Sequence, residues 1–220
     1  SDTSANLATH FASLLTTNSK LSTITQTDAQ GALSITTAQM TSGATLLAKV
    51  NGGTYALALS DVNAKTLAAA RANTKVTSFS FVDTSANIGL QLAALNAVGD
   101  RVSEIRQLGT AAPITITDTL FSASSDTIDK ISGSFSLSLT GVTTANLADR
   151  LGDDAVASVS INDTSTNVSA NFSALAAAGT RLKGVVLTNT SPSLSLTVAQ
   201  LGSNVLSKIS SKYTMKVADS

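Results

Sequence analysis

The feature that most constrains this chain is a five-residue sequence that recurs at a nearly constant interval. Asp-Thr-Ser-Ala-Asn begins at Asp2 and begins again at Asp83. A close variant, Asp-Thr-Ser-Thr-Asn, begins at Asp163. Self-similarity at a fixed period is the signature of repeat architectures, and the period here is about 80 residues. The sequence therefore predicts three repeats, 1–82, 83–162 and an incomplete 163–220.

The low charge of the chain narrows the partners it can attract. Only 13% of its 220 residues are charged, and the formal net charge is zero. Without a basic field, long-range attraction to nucleic acid or to an anionic membrane is not expected. No apolar run reaches the length of a membrane-spanning helix, so no membrane insertion is predicted. The absence of cysteine excludes disulfides and thiolate chemistry.

Helical and strand periodicities alternate within each predicted repeat. After the Asp-Thr motif, apolar residues recur four and then three positions apart, as in Leu7, Phe11 and Leu14, which predicts a helix. Other stretches alternate apolar and hydroxyl residues, as in Leu33 and Ile35, which predicts short strands. Each repeat is predicted to run strand, turn, strand, helix, strand, helix, strand, helix.

The third strand of each repeat is predicted to carry the aromatic residues, with two further apolar residues at alternate positions. The residues of these predicted strands are Tyr55, Leu57, Leu59, Phe135, Leu137, Leu139, Tyr213, Met215 and Val217. The third helix of the first repeat is predicted to span residues 62–73, with Leu67 and Ala70 on its inner face.

Strands joined by helical segments of about 10–15 residues are typical of parallel pairing. Such crossovers are almost always right-handed, and their open-ended repetition produces a solenoid. The predicted fold is therefore α/β, a repeat solenoid of parallel short strands and helices that resembles a leucine-rich-repeat arrangement. The turn between the first two strands is either a hairpin or a tight corner, and the sequence favours the corner. A string of β-sandwiches is the competing architecture, and the helical periodicity argues against it.

Aspartates at strand ends are candidates for two roles. Those that follow predicted strands are Asp28, Asp61, Asp83, Asp118, Asp163 and Asp219. Asp2, Asp83 and Asp163, or the threonine after each, lie where a helix N-cap belongs, and Asp61 is predicted to cap the third helix. Aligned carboxylates also suit calcium, with Asp83 and Asp163 as the candidate ligands. Because no known calcium-loop motif is present, capping is favoured and no cofactor is predicted.

Catalysis has little support in the sequence. His10 is the only histidine, and Gln91 and Asn171 take its place in the other repeats, as expected for a polar helix surface. No Gly-x-Ser-x-Gly motif or phosphate-binding loop occurs. The chain is therefore predicted not to be an enzyme.

Hydroxyl side chains on the outward face of the strands are a candidate binding surface. An ordered Ser/Thr array suits a glycan or another protein. The alternative is a solvated strand face in which threonine was selected for its strand propensity.

These sequences resemble a repeat family of very large bacterial surface and secreted proteins. The resemblance rests on four segments, Val82-Asp83-Thr84-Ser85-Ala86-Asn87-Ile88, Leu92-Ala93-Ala94-Leu95, Thr197-Val198-Ala199-Gln200 and Leu206-Ser207-Lys208-Ile209. It covers essentially the whole chain, and it implies an adhesin-like or surface-layer-like protein outside the cell. Members of this family often carry calcium-binding repeats near their C-terminus, and this sequence contains none.

The sequence thus predicts a structural or adhesive segment of a bacterial surface or secreted protein, in a stalk or surface assembly. Because the chain starts and stops within a repeat, it is interpreted as a piece of something longer. Its expected partners are neighbouring repeats or copies of itself, and a surface glycan is a further candidate. A glycan- or protein-binding module that uses the Ser/Thr face is the alternative function.

Overall fold

The computed structural model describes residues 1–28 and 31–218 and has a mixed α/β fold. Its contacts divide the chain into two compact units. Unit 1 comprises Ser1–Gly109 with Asp126–Gly133, and unit 2 comprises Thr110–Ser125 with the residues from Ser134 onward. The boundaries of these two units differ from the predicted repeat boundaries at residues 82 and 162. The division into three repeats stays a prediction.

The described residues contain eleven α-helices, and most of them are only one or two turns long. They are α1 (Ser4–Thr9), α2 (Phe11–Thr16), α3 (Thr37–Ser42), α4 (Ala44–Leu47), α5 (Leu67–Ala72), α6 (Ser85–Asn96), α7 (Asp118–Ala123), α8 (Ser125–Ile128), α9 (Leu147–Gly152), α10 (Ser165–Ala170) and α11 (Phe172–Ala177). Short 3-10 helices span Asn18–Lys20, Asn51–Gly53, Gly99–Arg101, Gly179–Arg181, Val198–Gln200 and Leu206–Lys208.

Eleven strands lie in the described part of the chain. They are β1 (Ala32–Ile35), β2 (Ala56–Val62), β3 (Val76–Asp83), β4 (Val102–Gln107), β5 (Ile114–Thr117), β6 (Ile131–Ser132), β7 (Leu137–Val142), β8 (Val156–Asp163), β9 (Leu182–Leu187), β10 (Ser193–Leu196) and β11 (Thr214–Val217). All of the strand pairings between them are parallel, as the helical connections predict.

Unit 1 contains one five-stranded sheet in the order β1-β2-β3-β4-β6. Its register places apolar residues opposite one another, such as Leu59 with Phe79 and Ile105 with Ile131. Leu59, Phe79 and Ile105 are buried, and Phe79 lies opposite Val102 in β4, which is also buried, so the inner face of the sheet is apolar. Burying each large apolar side chain contributes about 1.5–3 kcal/mol, so these side chains stabilise the unit substantially.

Unit 2 contains a four-stranded sheet, β5-β7-β8-β9, and a pair, β10-β11. Leu139 lies opposite Val159, and Ile161 lies opposite Val185, so the inner face of the four-stranded sheet is also apolar. These four residues are buried.

The turn between the first two strands of a predicted repeat is not a hairpin. β9 and β10 are consecutive in the chain, but they lie in different sheets and do not pair. β4 and β5 likewise belong to different sheets. The hairpin alternative is therefore wrong.

Threonine, rather than aspartate, is the N-cap residue at the repeated motif. The side chains of Thr3, Thr84 and Thr164 accept hydrogen bonds from the backbone N–H groups three residues on, at 3.3, 3.4 and 3.2 Å. A cap of this kind stabilises a helix by about 1 kcal/mol. The aspartate before each threonine has a different role, described below.

Two sequence-based predictions about the third strand and third helix need correction. Tyr55 lies just outside β2 and is half-buried, and Met215 and Val217 are 46% and 55% exposed although their partners in β10 are buried. The third helix of the first repeat begins at Leu67 and not at residue 62, because Val62 completes strand β2. Leu67 and Ala70 are buried, as predicted.

Candidate functional site

The Asp163 carboxylate is the most heavily hydrogen-bonded of the aspartates singled out in the sequence. Its Oδ2 accepts from the backbone N–H and the hydroxyl of Thr144, both at 2.8 Å. Its Oδ1 accepts from the backbone N–H of Thr164 at 2.7 Å and from the amide of Asn167 at 2.8 Å. Asp163 therefore joins the turn before α9 to the start of α10.

Hydrogen bonding and burial have opposite effects on the acidity of this carboxyl. Burial raises the pKa of Asp163, but the hydrogen bonds from Thr144, Asn167 and Thr164 favour the ionised form more strongly. The net effect is a pKa below the ordinary value of 3.8. The carboxylate is therefore an ionised acceptor at neutral pH.

Asp83 makes a closely similar set of contacts in unit 1. Its Oδ2 accepts from the backbone N–H of Ala64 at 2.8 Å, and its Oδ1 accepts from Thr84 N–H and the Asn87 amide at 2.8 and 2.7 Å. Burial raises the pKa of Asp83, and the hydrogen bonds from Ala64 and Asn87 outweigh it, so the pKa is again lowered.

Asp2 makes only the two Oδ1 contacts of this set. Its Oδ1 accepts from Thr3 N–H at 2.9 Å and from the Asn6 amide at 2.8 Å. The pKa of Asp2 is lowered chiefly by the hydrogen bond from Asn6. No hydrogen bond reaches its Oδ2 from any residue that the structure describes.

A second group of side-chain oxygens accepts hydrogen bonds at helix starts. Each of them accepts from the first backbone N–H of a helix, and that residue lies 24 positions earlier in the chain. Asp28 accepts from Ser4 at 2.7 Å, Asp61 from Thr37 at 2.6 Å, and Asn189 from Ser165 at 2.6 Å. A negative or polar oxygen at a helix N-terminus satisfies an unpaired donor and complements the helix dipole.

Asp61 therefore does not cap the helix that the sequence assigned to it. The N-cap residue of α5 is Thr66, and its side chain makes no capping hydrogen bond. Asp61 is in β2, and its carboxylate lies at the start of α3 instead. Sequence spacing suggested a local cap, whereas parallel pairing brings the strand end beside an earlier helix.

Basic residues, which the sequence patterns did not single out, bind backbone carbonyls at the opposite ends of helices. Arg101 donates to the carbonyl of Ala70 at 2.7 Å, at the end of α5, and Arg181 donates to that of Leu151 at 2.9 Å, at the end of α9. Lys208 donates to the carbonyl of Gly179 at 2.6 Å. Cations at helix C-termini complement the dipole and the unpaired carbonyls. The recurrence of Gly-x-Arg at 99–101 and 179–181 was the available signal.

Hydroxyls of the Ser/Thr face bond to neighbouring strands. Ser80 Oγ donates to the carbonyl of Ser60 at 2.8 Å, and Ser158 Oγ donates to Ser138 Oγ at 3.0 Å. Part of the hydrogen-bonding capacity of this face is thus used within the sheet.

Two shallow cavities contain the two tyrosines of the chain. In unit 1, a cavity of about 380 Å³ is lined by Asn51, Thr54 and Tyr55 among others. In unit 2, one of about 300 Å³ is lined by Pro192 and Tyr213 among others. Each cavity offers one aromatic ring among polar groups.

The remaining candidates are not brought together. His10 is exposed between α1 and α2, and its Nδ1 lies 2.9 Å from the carbonyl of Asn6 in α1. Among residues 1–28 and 31–218, no three acidic, histidine or cysteine side chains are placed to share a metal ion. Asp83 and Asp163, the calcium candidates, lie in different units, and Asp219 falls outside the described residues.

Comparison with known proteins adds no functional assignment. No protein-family model, curated protein or solved structure matches this chain. Within the described residues, no helix has both the length and the apolar character needed to cross a membrane.

Proposed function

We propose that this chain is a structural or adhesive repeat segment of a large bacterial cell-surface or secreted protein, in a stalk or surface assembly. Its fold in this proposal is a right-handed β/α solenoid with a period of about 80 residues. The observation that carries the proposal is the recurrence of one contact set. Asp83 and Asp163, the first residues of two successive motifs, each bond the preceding turn, the next threonine and an asparagine in the following helix.

The use of the charged side chains also supports a structural role. Five charged side chains bind backbone groups of segments that lie earlier in the chain, and they are Asp61, Arg101, Asp163, Arg181 and Lys208. Groups committed to helix ends are unavailable for proton transfer or for binding a substrate. We therefore propose no enzymatic activity and no cofactor, and the family resemblance in the sequence supports an extracellular location.

The repeat stack is tested by lengthening it. In a chain with a second copy of residues 83–162 inserted after residue 162, a solenoid adds three parallel pairing steps, like those from β5 through β7 and β8 to β9. Because neighbouring strands are about 4.8 Å apart, small-angle X-ray scattering should show the longest dimension growing by about 14 Å. The inserted chain should also unfold at higher denaturant concentration, since each repeat adds a neighbour interface. Aggregation or unfolding of the inserted chain would contradict the stack.

The assembly role is tested on the native protein. Electron cryomicroscopy of the intact surface or secreted material should show ordered contacts between copies, in a lattice, filament or projecting stalk. A parent protein found dispersed inside the cell would contradict the proposed location and role.

A glycan-binding module is the second candidate function, and the tyrosine cavities favour it. An aromatic ring beside amide and hydroxyl groups is a suitable surface for a sugar, because the ring packs on the apolar face of the sugar. A glycan array probed with the whole chain tests this function. Tyr55→Ala and Tyr213→Ala should each reduce any glycan-binding signal. An array without signal would contradict the glycan-binding function and leave the structural role as the one remaining candidate.

A further inference from the structure

The cavity of unit 1 that contains Tyr55, here called the Tyr55 cavity, surrounds one aromatic ring with uncharged polar groups. Its volume of about 380 Å³ lies within the range of about 300–1,000 Å³ that small-molecule sites occupy. Its polar lining residues include Gln26, Asn51, Thr54 and Thr77. None of the described residues that line it is acidic. An anionic ligand therefore meets no carboxylate in the lining that would repel it.

A lysine adds positive charge beside this ring. The ammonium of Lys75 lies 5.5 Å from the centroid of the Tyr55 ring, a distance at which the ring attracts a cation. The ammonium makes no hydrogen bond or ion pair with any residue in 1–28 or 31–218. The contact with the ring thus holds the ammonium next to the cavity and leaves its N–H donors for an anion.

The two amide side chains of the cavity are held in defined orientations. Gln26 Nε2 donates to the carbonyls of Asp28 and Gly31 at 3.0 and 2.6 Å. Asn51 Oδ1 accepts the backbone N–H of Gln26 at 2.9 Å, and its Nδ2 makes no hydrogen bond within the described part of the chain. The Asn51 amide therefore offers donors to a ligand hydroxyl without first losing rotamer freedom.

The residues of the Tyr55 cavity change at the equivalent place on strands β7 and β8. The pairing of Leu57 with Val76 recurs there as the pairing of Leu137 with Val156. Counted from these pairs, the positions of Tyr55, Lys75 and Thr77 are taken by Phe135, Ala155 and Ala157. The sheet therefore forms without the phenol, the cation and the hydroxyl, and these groups are available for binding.

We propose that the Tyr55 cavity binds an acidic sugar, a pyranose that carries a carboxylate, such as a hexuronic acid. The carboxylate binds the Lys75 ammonium, the C–H groups of the sugar pack on Tyr55, and the sugar hydroxyls bond to Asn51 and Thr54. This inference rests on the second candidate function, glycan binding, and names the class of sugar.

The test compares two sugars that differ in one group, methyl glucuronide and methyl glucoside. In a titration of the whole chain, methyl glucuronide should shift the backbone amide resonances of residues 51–56 and Lys75, with a Kd of about 1–10 mM. Methyl glucoside should bind at least about threefold more weakly, because it lacks the charge. Equal affinity for the two sugars, or no shift at these residues at about 30 mM glucuronide, would overturn the proposal.

Variants of the chain separate the charge from the ring. Lys75→Met should weaken glucuronide binding about threefold to fivefold and leave the glucoside affinity unchanged. Tyr55→Ala should remove the binding of both sugars, and Tyr55→Phe, which keeps the ring, should retain it. Because Tyr55 is half-buried, the urea midpoint of each variant shows whether it is folded.

Lys183→Met is the matched control, since Lys183 is exposed and lies in unit 2. It should leave both affinities unchanged. An equal loss of glucuronide binding in Lys183→Met and Lys75→Met would show general electrostatic attraction and refute a specific contact.

The glycan array separates this inference from the function on which it rests. If neutral glycans bind as well as acidic ones, the acidic-sugar inference fails and glycan binding stands. If the signal depends on Tyr213 and not on Tyr55, this site fails and glycan binding again stands. If no glycan of either kind binds, both fail. A signal from acidic glycans that Lys75→Met lowers and Lys183→Met does not would support both.

Discussion

Replacing Asp163 by alanine should destabilise the chain more than any other single aspartate substitution. The change removes an acceptor of four hydrogen bonds, from Thr144 twice, Thr164 and Asn167. It also leaves the N–H and hydroxyl of Thr144 without this acceptor, and Thr144 is only 5% exposed. An unsatisfied buried polar group carries its full desolvation penalty.

The expected loss follows from these contacts. Hydrogen bonds to a charged group contribute about 1.5–3 kcal/mol each, but bonds that share one carboxylate are not independent. We therefore expect Asp163→Ala to lower the free energy of unfolding by about 3–4 kcal/mol. Urea unfolding followed by circular dichroism measures this change, because a lower midpoint at constant slope reports stability alone.

A neighbouring aspartate provides the matched control for this experiment. Asp154 is exposed, and its substitution by alanine should change the free energy of unfolding by less than about 0.5 kcal/mol. A loss below about 1 kcal/mol for Asp163→Ala would refute the reasoning, since the four hydrogen bonds would then contribute little.

Further predictions concern pH, a helix end, a helix start and calcium. Because the folded-state pKa values of Asp83 and Asp163 are lowered, their stabilisation is complete above the ordinary value of 3.8 and is lost as the pH falls through the lower folded values. Urea midpoints should therefore drop below about pH 4, and a flat profile down to about pH 2 would contradict this. Lys208→Met should cost about 1–2 kcal/mol of unfolding free energy through lost bonds to two carbonyls, and exposed Lys183→Met is its control. Thr36→Ala, which breaks the capping box with Gln39, should cost about 1 kcal/mol in the same assay, and no loss would show that the cap is redundant. Millimolar calcium should leave the melting temperature unchanged, and a rise would restore the calcium hypothesis for Asp83.

Local secondary structure, and the side chains that it directs inward, were predicted well from sequence. The alternation of Leu33 and Ile35 identified β1, and the spacing of Leu7 and Phe11 identified the inner face of α1 and α2. These patterns are local, because the side-chain period of a strand or helix is fixed by its own backbone. The exposed His10 also follows from its polar equivalents.

Contacts between segments were predicted poorly, and Asp61 shows why. A carboxylate near a helix start in sequence suggests a local cap, but a strand end can lie beside any helix that parallel pairing brings to it. The register that places Asp61 at Thr37 is decided by the packing of Leu57 and Leu59 in the sheet. Met215 illustrates the same limit, since the pattern identifies its face but not whether another strand covers it.

The short sequence separation of the contacts has a consequence for how the chain acquires its fold. Asp163 and Thr144 are 19 residues apart, and the ion pair between Arg150 and Asp118 spans 32. Contacts of this range amount to a relative contact order of roughly 0.1 in a chain of this length, which is typical of fast-folding proteins. Each segment finds its hydrogen-bonding partners in the segment that was made just before it. A polypeptide that emerges end first from a ribosome or an export channel can therefore fold progressively, without waiting for its other end.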